Sequence, residues 1–225
     1  MHVHLNSDYT VNVIIKTIIF GFFCYLIGSI PNGYWIGKFF FKKDITKEGS
    51  GNIGATNALR VLGTTTGILV AIMDILKGAI ATWLPVWFGV YTLSPLIFGL
   101  LAVLGHTYSI FLHFQGGQAV ATSAGILLAY NFPLFIFCVS IFILTLLISS
   151  MASLASILMA FSAVIYCFLL TNDLLKVFAV AVTVIIIYTH KNNIIRIFKG
   201  NERLIKFGIY YWFLKKRNCQ NKKSQ

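Results

Sequence analysis

Acidic side chains are scarce in this chain: six Asp and Glu stand against 18 Lys and Arg, and charged residues of both signs make up only 11% of it. A soluble globular domain carries about 25% charged residues, so a deficit this large argues against one. Cysteine offers no chemistry either. Cys24, Cys138 and Cys167 lie in apolar runs and Cys219 in a basic tail, with no C-x-x-C pair and no histidine at metal-ligand spacing; they are expected to pack rather than to carry redox or metal work. Internal repeats and low-complexity segments are also missing.

What fills the chain is apolar. Hydrophobic residues make up 58% of it, and the mean hydropathy is +0.83. Apolar runs of about 20 residues, each able to cross a hydrocarbon core of roughly 30 Å as helix, recur from Val11 to near Lys191. The expectation is an all-α polytopic membrane protein with seven transmembrane helices, at about 11–37, 64–90, 94–113, 118–131, 133–150, 153–171 and 174–190. The stretch 118–150 is divided at Asn131-Phe132-Pro133. As one helix it would be about 50 Å long, and the residue before a proline resists the helical region. One membrane domain over 1–213 and a basic cytoplasmic tail over 214–225, held near anionic lipid, complete the expected organisation.

The net charge of +12 would suggest a nucleic-acid partner if it were spread over a soluble surface. Instead the cations gather in two places. Apart from Lys16, Lys77 and Lys176, every Lys and Arg lies between Lys38 and Arg60 or after residue 190. The positive-inside rule places both regions in the cytoplasm, and an odd number of spans with the N-terminus outside satisfies it. The first ten residues carry no Lys or Arg, and no small-residue cleavage site follows the first apolar stretch, so a removable signal peptide is not expected.

Residues 49–54 read GSGNIG, matching G-x-G-x-x-G, and Asp74 follows 20 positions after Gly54. A dinucleotide fingerprint must leave a buried strand and open a helix, but KKDITKE precedes these glycines, and Asp74 sits inside an apolar run. There it is three residues from Lys77, a spacing at which the two can pair on a helix and lower the cost of charge at membrane depth. A Walker loop fails as well, because no Gly-Lys-Ser/Thr follows the glycines. Gly49, Gly51 and Gly54 would let backbone N–H groups form an anion-binding nest, with Ser50, Asn52, Thr56 and Asn57 adding neutral hydrogen-bonding groups and Arg60 a charge. The plainer alternative is a flexible loop between spans.

Two more stretches reach the same membrane face in the seven-span topology. GHTYSIFLHFQGGQAVAT places Gly116-Gly117 at a helix start, where the positive end of the dipole favours an anion. In HKNNIIRIFKGNE, His190, Asn193 and Arg196 follow one another at three-residue steps along one strip of a helix. Ser153, at the break between the fifth and sixth spans, is on that face too. A site assembled from the cytoplasmic loops is therefore expected. His106 either lines it or caps a helix near the interface, and His113, between Leu112 and Phe114, is expected to be interfacial.

The segments GSIPNGYWIGK, GSGNIGATNALRVLG, MDILKGA, GHTYSIFLHFQGGQAVAT and HKNNIIRIFKGNE together resemble the bacterial acyl-phosphate:glycerol-3-phosphate acyltransferase family of integral membrane enzymes. The resemblance spans nearly the whole chain and implies seven spans with the active site facing the cytoplasm. It also implies transfer of a fatty acyl group from acyl phosphate to the 1-hydroxyl of glycerol 3-phosphate, giving lysophosphatidate. Ser50, Gly51, Asn52, Thr56, Asn57 and Arg60 would hold and orient a phosphate-bearing substrate. Gly116 and Gly117 would belong to a second phosphate-binding loop, His190 and Asn193 would be needed for activity, and Glu202 would be structural. Neither cofactor nor metal is implied, because an acyl phosphate is already activated. The hydroxyl proton would go to His190 or, in the route the resemblance favours, to a phosphate oxygen of the donor.

Two positions depart from the family pattern. Ser109 stands where proline is usual, and Gln118 stands where a lysine normally follows the paired glycines. A charged hydrogen bond is worth roughly 1.5–3 kcal/mol, so Gln118 opens an alternative reading, a relative weakened in catalysis or binding lipid without turnover. A transporter is a third reading, disfavoured because the polar motifs cluster at one face rather than at the midplane.

Overall fold

A computed structural model describes residues 7–223. The first six residues, read above as a cation-free lead into the first span, and the last two of the basic tail lie outside the described residues. All regular structure among the described residues is helical, and the chain is an all-α polytopic membrane protein. In chain order the helices are α1 (Ser7–Ser29), α2 (Asn32–Phe40), α3 (Ala55–Leu62), α4 (Thr64–Trp87), α5 (Pro95–Thr107), α6 (Val120–Tyr130), α7 (Phe132–Ser149), α8 (Ala152–Leu170), α9 (Asp173–Thr189), α10 (Lys191–Phe198) and α11 (Ile209–Lys223). A short 3₁₀ turn, Ile110–Leu112, follows α5.

The span count corrects the expected seven. Five described stretches are long and apolar enough to cross a membrane: Val11–Ser29, Thr64–Trp87, Pro95–Leu112, Phe132–Ser149 and Ala152–Leu170. A sixth is reached only by joining α9 and α10, which meet at a 64° bend. The stretch expected at 118–131 yields only the 11 residues of α6, about 16 Å of helix against a core of roughly 30 Å. Its length is lost at both ends. Ala119, at the N-cap, takes a left-handed φ of 61°, and Asn131 leaves the helix at φ −146°. The expected first span, 11–37, likewise breaks at Pro31, whose ψ of 73° turns the chain from α1 into α2. The division at Asn131-Phe132 stands, since α6 ends at Tyr130 and α7 begins at Phe132. Residues 214–223 of the basic tail continue α11 as helix.

The chain forms two compact units, one ending at Phe132 and the other beginning at Pro133. In the first, helix backbones approach closely where glycines stand. A Cβ on Gly28 would strike the Ala102 backbone, and one on Gly78 would strike the Thr122 carbonyl, so α1 lies on α5 and α4 on α6. Polar contacts fix the directions. Cys24 Sγ donates to the Ala81 carbonyl at 3.2 Å and Asn32 Nδ2 to Asp74 Oδ1 at 2.9 Å, making α1 and α4 antiparallel. Trp83 Nε1 donates to the Ala129 carbonyl at 2.9 Å, and with Gly78 beside Thr122 this makes α6 parallel to α4.

In the second unit α8 packs on α9, where Thr183 Oγ1 donates to the Ala160 carbonyl at 3.2 Å. Ser150, buried and at φ 59°, forms the turn between α7 and α8. Its carbonyl accepts from Ile205 N at 2.8 Å and its hydroxyl from Tyr211 N at 3.0 Å, so the chain after α10 folds back onto that turn. Large apolar side chains such as Phe161, Ile165, Phe168 and Val184 stay exposed, as a surface solvated by lipid tails requires.

Candidate active site

The glycine stretch 49–54 is an ordered loop built around Asn57, on the first turn of α3. Asn57 is 1% exposed. Its Oδ1 accepts from Ser50 N at 2.7 Å, and its Nδ2 donates to the carbonyls of Ile45 at 2.8 Å, Asn52 at 2.8 Å and Glu48 at 3.1 Å. Gly49, at φ 60°, must be glycine twice over, because a Cβ there would also collide with Asn57 Oδ1. Within the loop Asn52 N donates to Ser50 Oγ at 3.4 Å and Gly54 N to Asn52 Oδ1 at 3.0 Å. Gly51 has φ 75°, and Gly54 is the N-cap of α3 with Thr56 in its first turn and half-buried Arg60 in its last. Asn57 thus spends its amide on the loop's own backbone, and Arg60 is the cation of this segment.

The second glycine stretch lies against the end of α5. Gly117 N donates to the His106 carbonyl at 2.9 Å, and a Cβ on Gly117 would overlap His106 Nε2. Gly116 is held so closely to the carbonyls of His106 and Thr107 that no side chain fits. His113, Phe114 and Ala119 all take positive φ in this short span, a concentration of costly backbone that accompanies binding loops. Gln118, half-buried, follows the glycines directly. Ser109 is fully buried; its hydroxyl donates to the Ser29 carbonyl at 2.5 Å and its own carbonyl accepts from Phe114 N at 2.8 Å. The serine therefore anchors by hydrogen bonding a turn that a proline would stiffen covalently.

His106 leads inward to a buried polar group. Asp74 Oδ1 lies 3.0 Å from Lys77 Nζ and 4.0 Å from His106 Nδ1, and Lys77 Nζ also donates to the Ile30 carbonyl at 2.9 Å. The i,i+3 pairing of Asp74 and Lys77 was legible from their spacing. Asn32, which completes the group, was not singled out, and its only signal is a polar residue following Pro31 at the edge of an apolar run.

The second unit holds the remaining residues. His190, 1% exposed, sits at the bend between α9 and α10, with Nδ1 2.8 Å from the Ile186 carbonyl. A carbonyl only accepts, so Nδ1 carries a proton, and in the neutral ring Nε2 keeps its lone pair. Glu202 is the hub beside it. Its Oε1 accepts from Ser153 Oγ at 3.1 Å and Asn193 Nδ2 at 2.9 Å, and its Oε2 accepts from Arg196 Nε at 2.8 Å. Ser153 on α8 and the neighbours Asn193 and Arg196 on α10 are thereby tied to one buried carboxylate.

A family model described as "Glycerol-3-phosphate acyltransferase" matches residues 18–200. The chain is similar to the glycerol-3-phosphate acyltransferase of Enterococcus faecalis, 49% identical over 212 residues that cover 90% of this chain and 98% of that one. It is also similar to that of Lactiplantibacillus plantarum, 50% identical over 197 residues, 86% of this chain and 94% of the other. Among solved structures, the crystal structure of PlsY, described as an integral membrane glycerol 3-phosphate acyltransferase in its glycerol 3-phosphate form, aligns with TM-score 0.78 at 36% identity, covering 84% of this chain and 94% of that chain. Its lysophosphatidic acid form aligns with TM-score 0.75. The chain belongs to the glycerol-3-phosphate acyltransferase family.

Proposed function

We propose that this protein transfers a fatty acyl group from acyl phosphate to the 1-hydroxyl of glycerol 3-phosphate in a bacterial membrane. The carrying observation is the solved relative described in both a glycerol 3-phosphate form and a lysophosphatidic acid form, a substrate and a product of that reaction. The hydroxyl oxygen attacks the acyl carbonyl carbon, the new ester bond forms, the carbonyl–phosphate bond breaks, and inorganic phosphate leaves. Phosphate is a good leaving group, so the residues chiefly hold and orient anions and receive one proton.

The loop at 49–54 spends the N–H groups of Ser50, Gly51, Asn52 and Gly54 on its own acceptors, so the side chains of Ser50, Asn52 and Thr56 are what it offers to a phosphate, and Arg60 supplies the charge. Asn57 keeps this loop in shape rather than touching substrate. The Gly116–Gly117 turn, with Gly117 N held on the His106 carbonyl, lets the backbone approach a second phosphate closely, and Gln118 adds a neutral amide. His190, with Nε2 as acceptor, and Asn193, positioned by Glu202 together with Ser153, serve the reacting hydroxyl. The proton passes to Nε2 or to a departing phosphate oxygen.

Purified protein given acyl phosphate and labelled glycerol 3-phosphate should form lysophosphatidate, with acyl thioesters of carrier protein and coenzyme A as comparison donors. Absence of product from every donor, with the protein folded, would sink the activity. In the same assay Gln118→Lys is expected to lower the acyl-phosphate KM by about ten- to a hundredfold, the worth of one charge-assisted bond. An inactive natural chain that becomes active with lysine would instead identify a relative weakened in catalysis. A Gln118→Lys variant less active than the natural chain would mean that the loop is built around the neutral amide.

The orientation we infer has the N-terminus outside and both basic regions in the cytoplasm. Charge bias supports it, since the cations gather between Lys38 and Arg60 and after residue 190. Reporters fused after Lys43, near Gln115 and after Glu202 are expected to read cytoplasmic. One of them reading external would overturn this orientation.

A further inference from the structure

The buried ion pair on α4 has no part in the chemistry just described, yet it touches structure beneath both glycine loops. Asp74 and Lys77 are almost fully buried, one turn apart, within an apolar helix. Charges at such depth persist in membrane helices where they serve a site, because each must otherwise be desolvated without return. Their contacts lead in two directions. Lys77 donates to the Ile30 carbonyl and Asp74 accepts from Asn32, so together they grip the elbow at Pro31 between α1 and α2. From that elbow α2 carries Gly33, which lies directly on the Ile53 carbonyl of the first glycine loop.

In the other direction stands His106. Its ring is buried between Asp74, 4.0 Å from Nδ1, and Gly117, against which Nε2 is pressed so closely that no Cβ fits. Among the described residues Nδ1 has no hydrogen-bond partner, and Asp74 is the acceptor it faces. A ring with one unmet nitrogen toward a carboxylate and the other against the Gly117 backbone couples the two. Where the carboxylate sits sets where the ring sits, and the ring is the floor of the second glycine loop.

We propose that Asp74 and Lys77 are positioning residues for phosphate binding: through His106 they set the height of the Gly116–Gly117 loop, and through Asn32 and Ile30 they fix the helix that backs the first loop. The proposal rests on the reading of Gly116–Gly117 as a phosphate-binding loop. It assigns the pair a role in substrate affinity, distinct from stabilising the fold.

Removing one partner of a buried pair strands the other charge, whereas replacing both with apolar residues of similar volume is often tolerated. The test is therefore Asp74→Leu/Lys77→Met together, with unfolding temperature in detergent measured beside the kinetics. The folded double variant should keep kcat within about threefold while the KM for acyl phosphate rises about tenfold or more, the loss of roughly one well-placed bond. Wild-type KM values for both substrates, or a fall in kcat at unchanged KM, would overturn the proposal. If the double variant does not fold, Asp74→Glu decides. It keeps the ion pair but moves the carboxylate by one methylene, and should raise the same KM at least threefold; an unchanged KM there overturns the proposal equally. Gly117→Ala separates this from the reading beneath it. If Gly117→Ala raises the acyl-phosphate KM and the pair variants do not, the positioning role alone fails. If Gly117→Ala leaves both KM values unchanged, the loop does not hold phosphate, and both fail together.

Discussion

Arg60→Ala should lower kcat/KM for glycerol 3-phosphate by about a hundredfold or more, while the protein still inserts and unfolds at the same temperature. The expectation follows from where Arg60 stands. It sits in the last turn of the eight-residue helix α3, whose first turn carries Thr56 and Asn57 and whose N-cap is the final glycine of the loop. A guanidinium can bond a phosphate through two parallel N–H groups, and one charge-assisted bond is already worth roughly 1.5–3 kcal/mol. Losing such a pair removes at least about two powers of ten. Arg60→Lys should recover part of the loss, because the charge returns without the planar fork. Steady-state kinetics against each substrate separately would check it. Unchanged constants in Arg60→Ala would remove this charge from the site, and a loss confined to acyl phosphate would reassign it to the donor.

The first glycine loop was legible because its chemistry is local. Gly49, Gly51 and Gly54 at fixed spacing, with hydroxyl and amide residues between them, announce a tight turn; the expected nest of free N–H groups does not follow, because those of Ser50, Gly51, Asn52 and Gly54 turn to the segment's own acceptors. The role of Asn57 was not legible. In GSGNIGATN it is one of two asparagines, and only the folded chain brings the carbonyls of Ile45, Glu48 and Asn52 around its amide. Tertiary contact likewise decides the buried group at Asp74. Its partner Lys77 follows from helical periodicity, but Asn32 and His106 come from other helices, and no spacing announces them. Helix lengths were the weakest part of the reading. An apolar run reports that a segment belongs in lipid, whereas the left-handed Ala119, the break at Pro31 and the bend at His190 depend on loops whose cost is recovered by what they hold. The charge pattern is independent of these revisions, because it records where cations accumulate and not where each helix stops.

Glu202→Gln is expected to damage activity and stability together, and the link between the two distinguishes a clamp from a substrate ligand. The carboxylate accepts from three donors on separate parts of the second unit: Ser153 on α8, Asn193 and Arg196 on α10. A glutamine offers one acceptor oxygen and turns an NH₂ toward a donor, so at least one of the three loses its partner and Arg196 loses its counter-charge. Removing one member of a fully buried pair costs about 3–5 kcal/mol. Arg196 keeps 26% of its side chain exposed, so water recovers part of that, and about 2 kcal/mol is the reasonable scale. A lowered unfolding temperature in detergent should therefore accompany a fall in kcat of about tenfold or more, as Asn193 and the α10 end near His190 lose their fixed placement. Adding Arg196→Met to Glu202→Gln should restore much of the stability, since the stranded charge is gone, yet little of the activity, since Asn193 still lacks its carboxylate. Recovery of both would mean that only the ion pair matters. Activity lost at unaltered stability in Glu202→Gln would place the carboxylate against substrate.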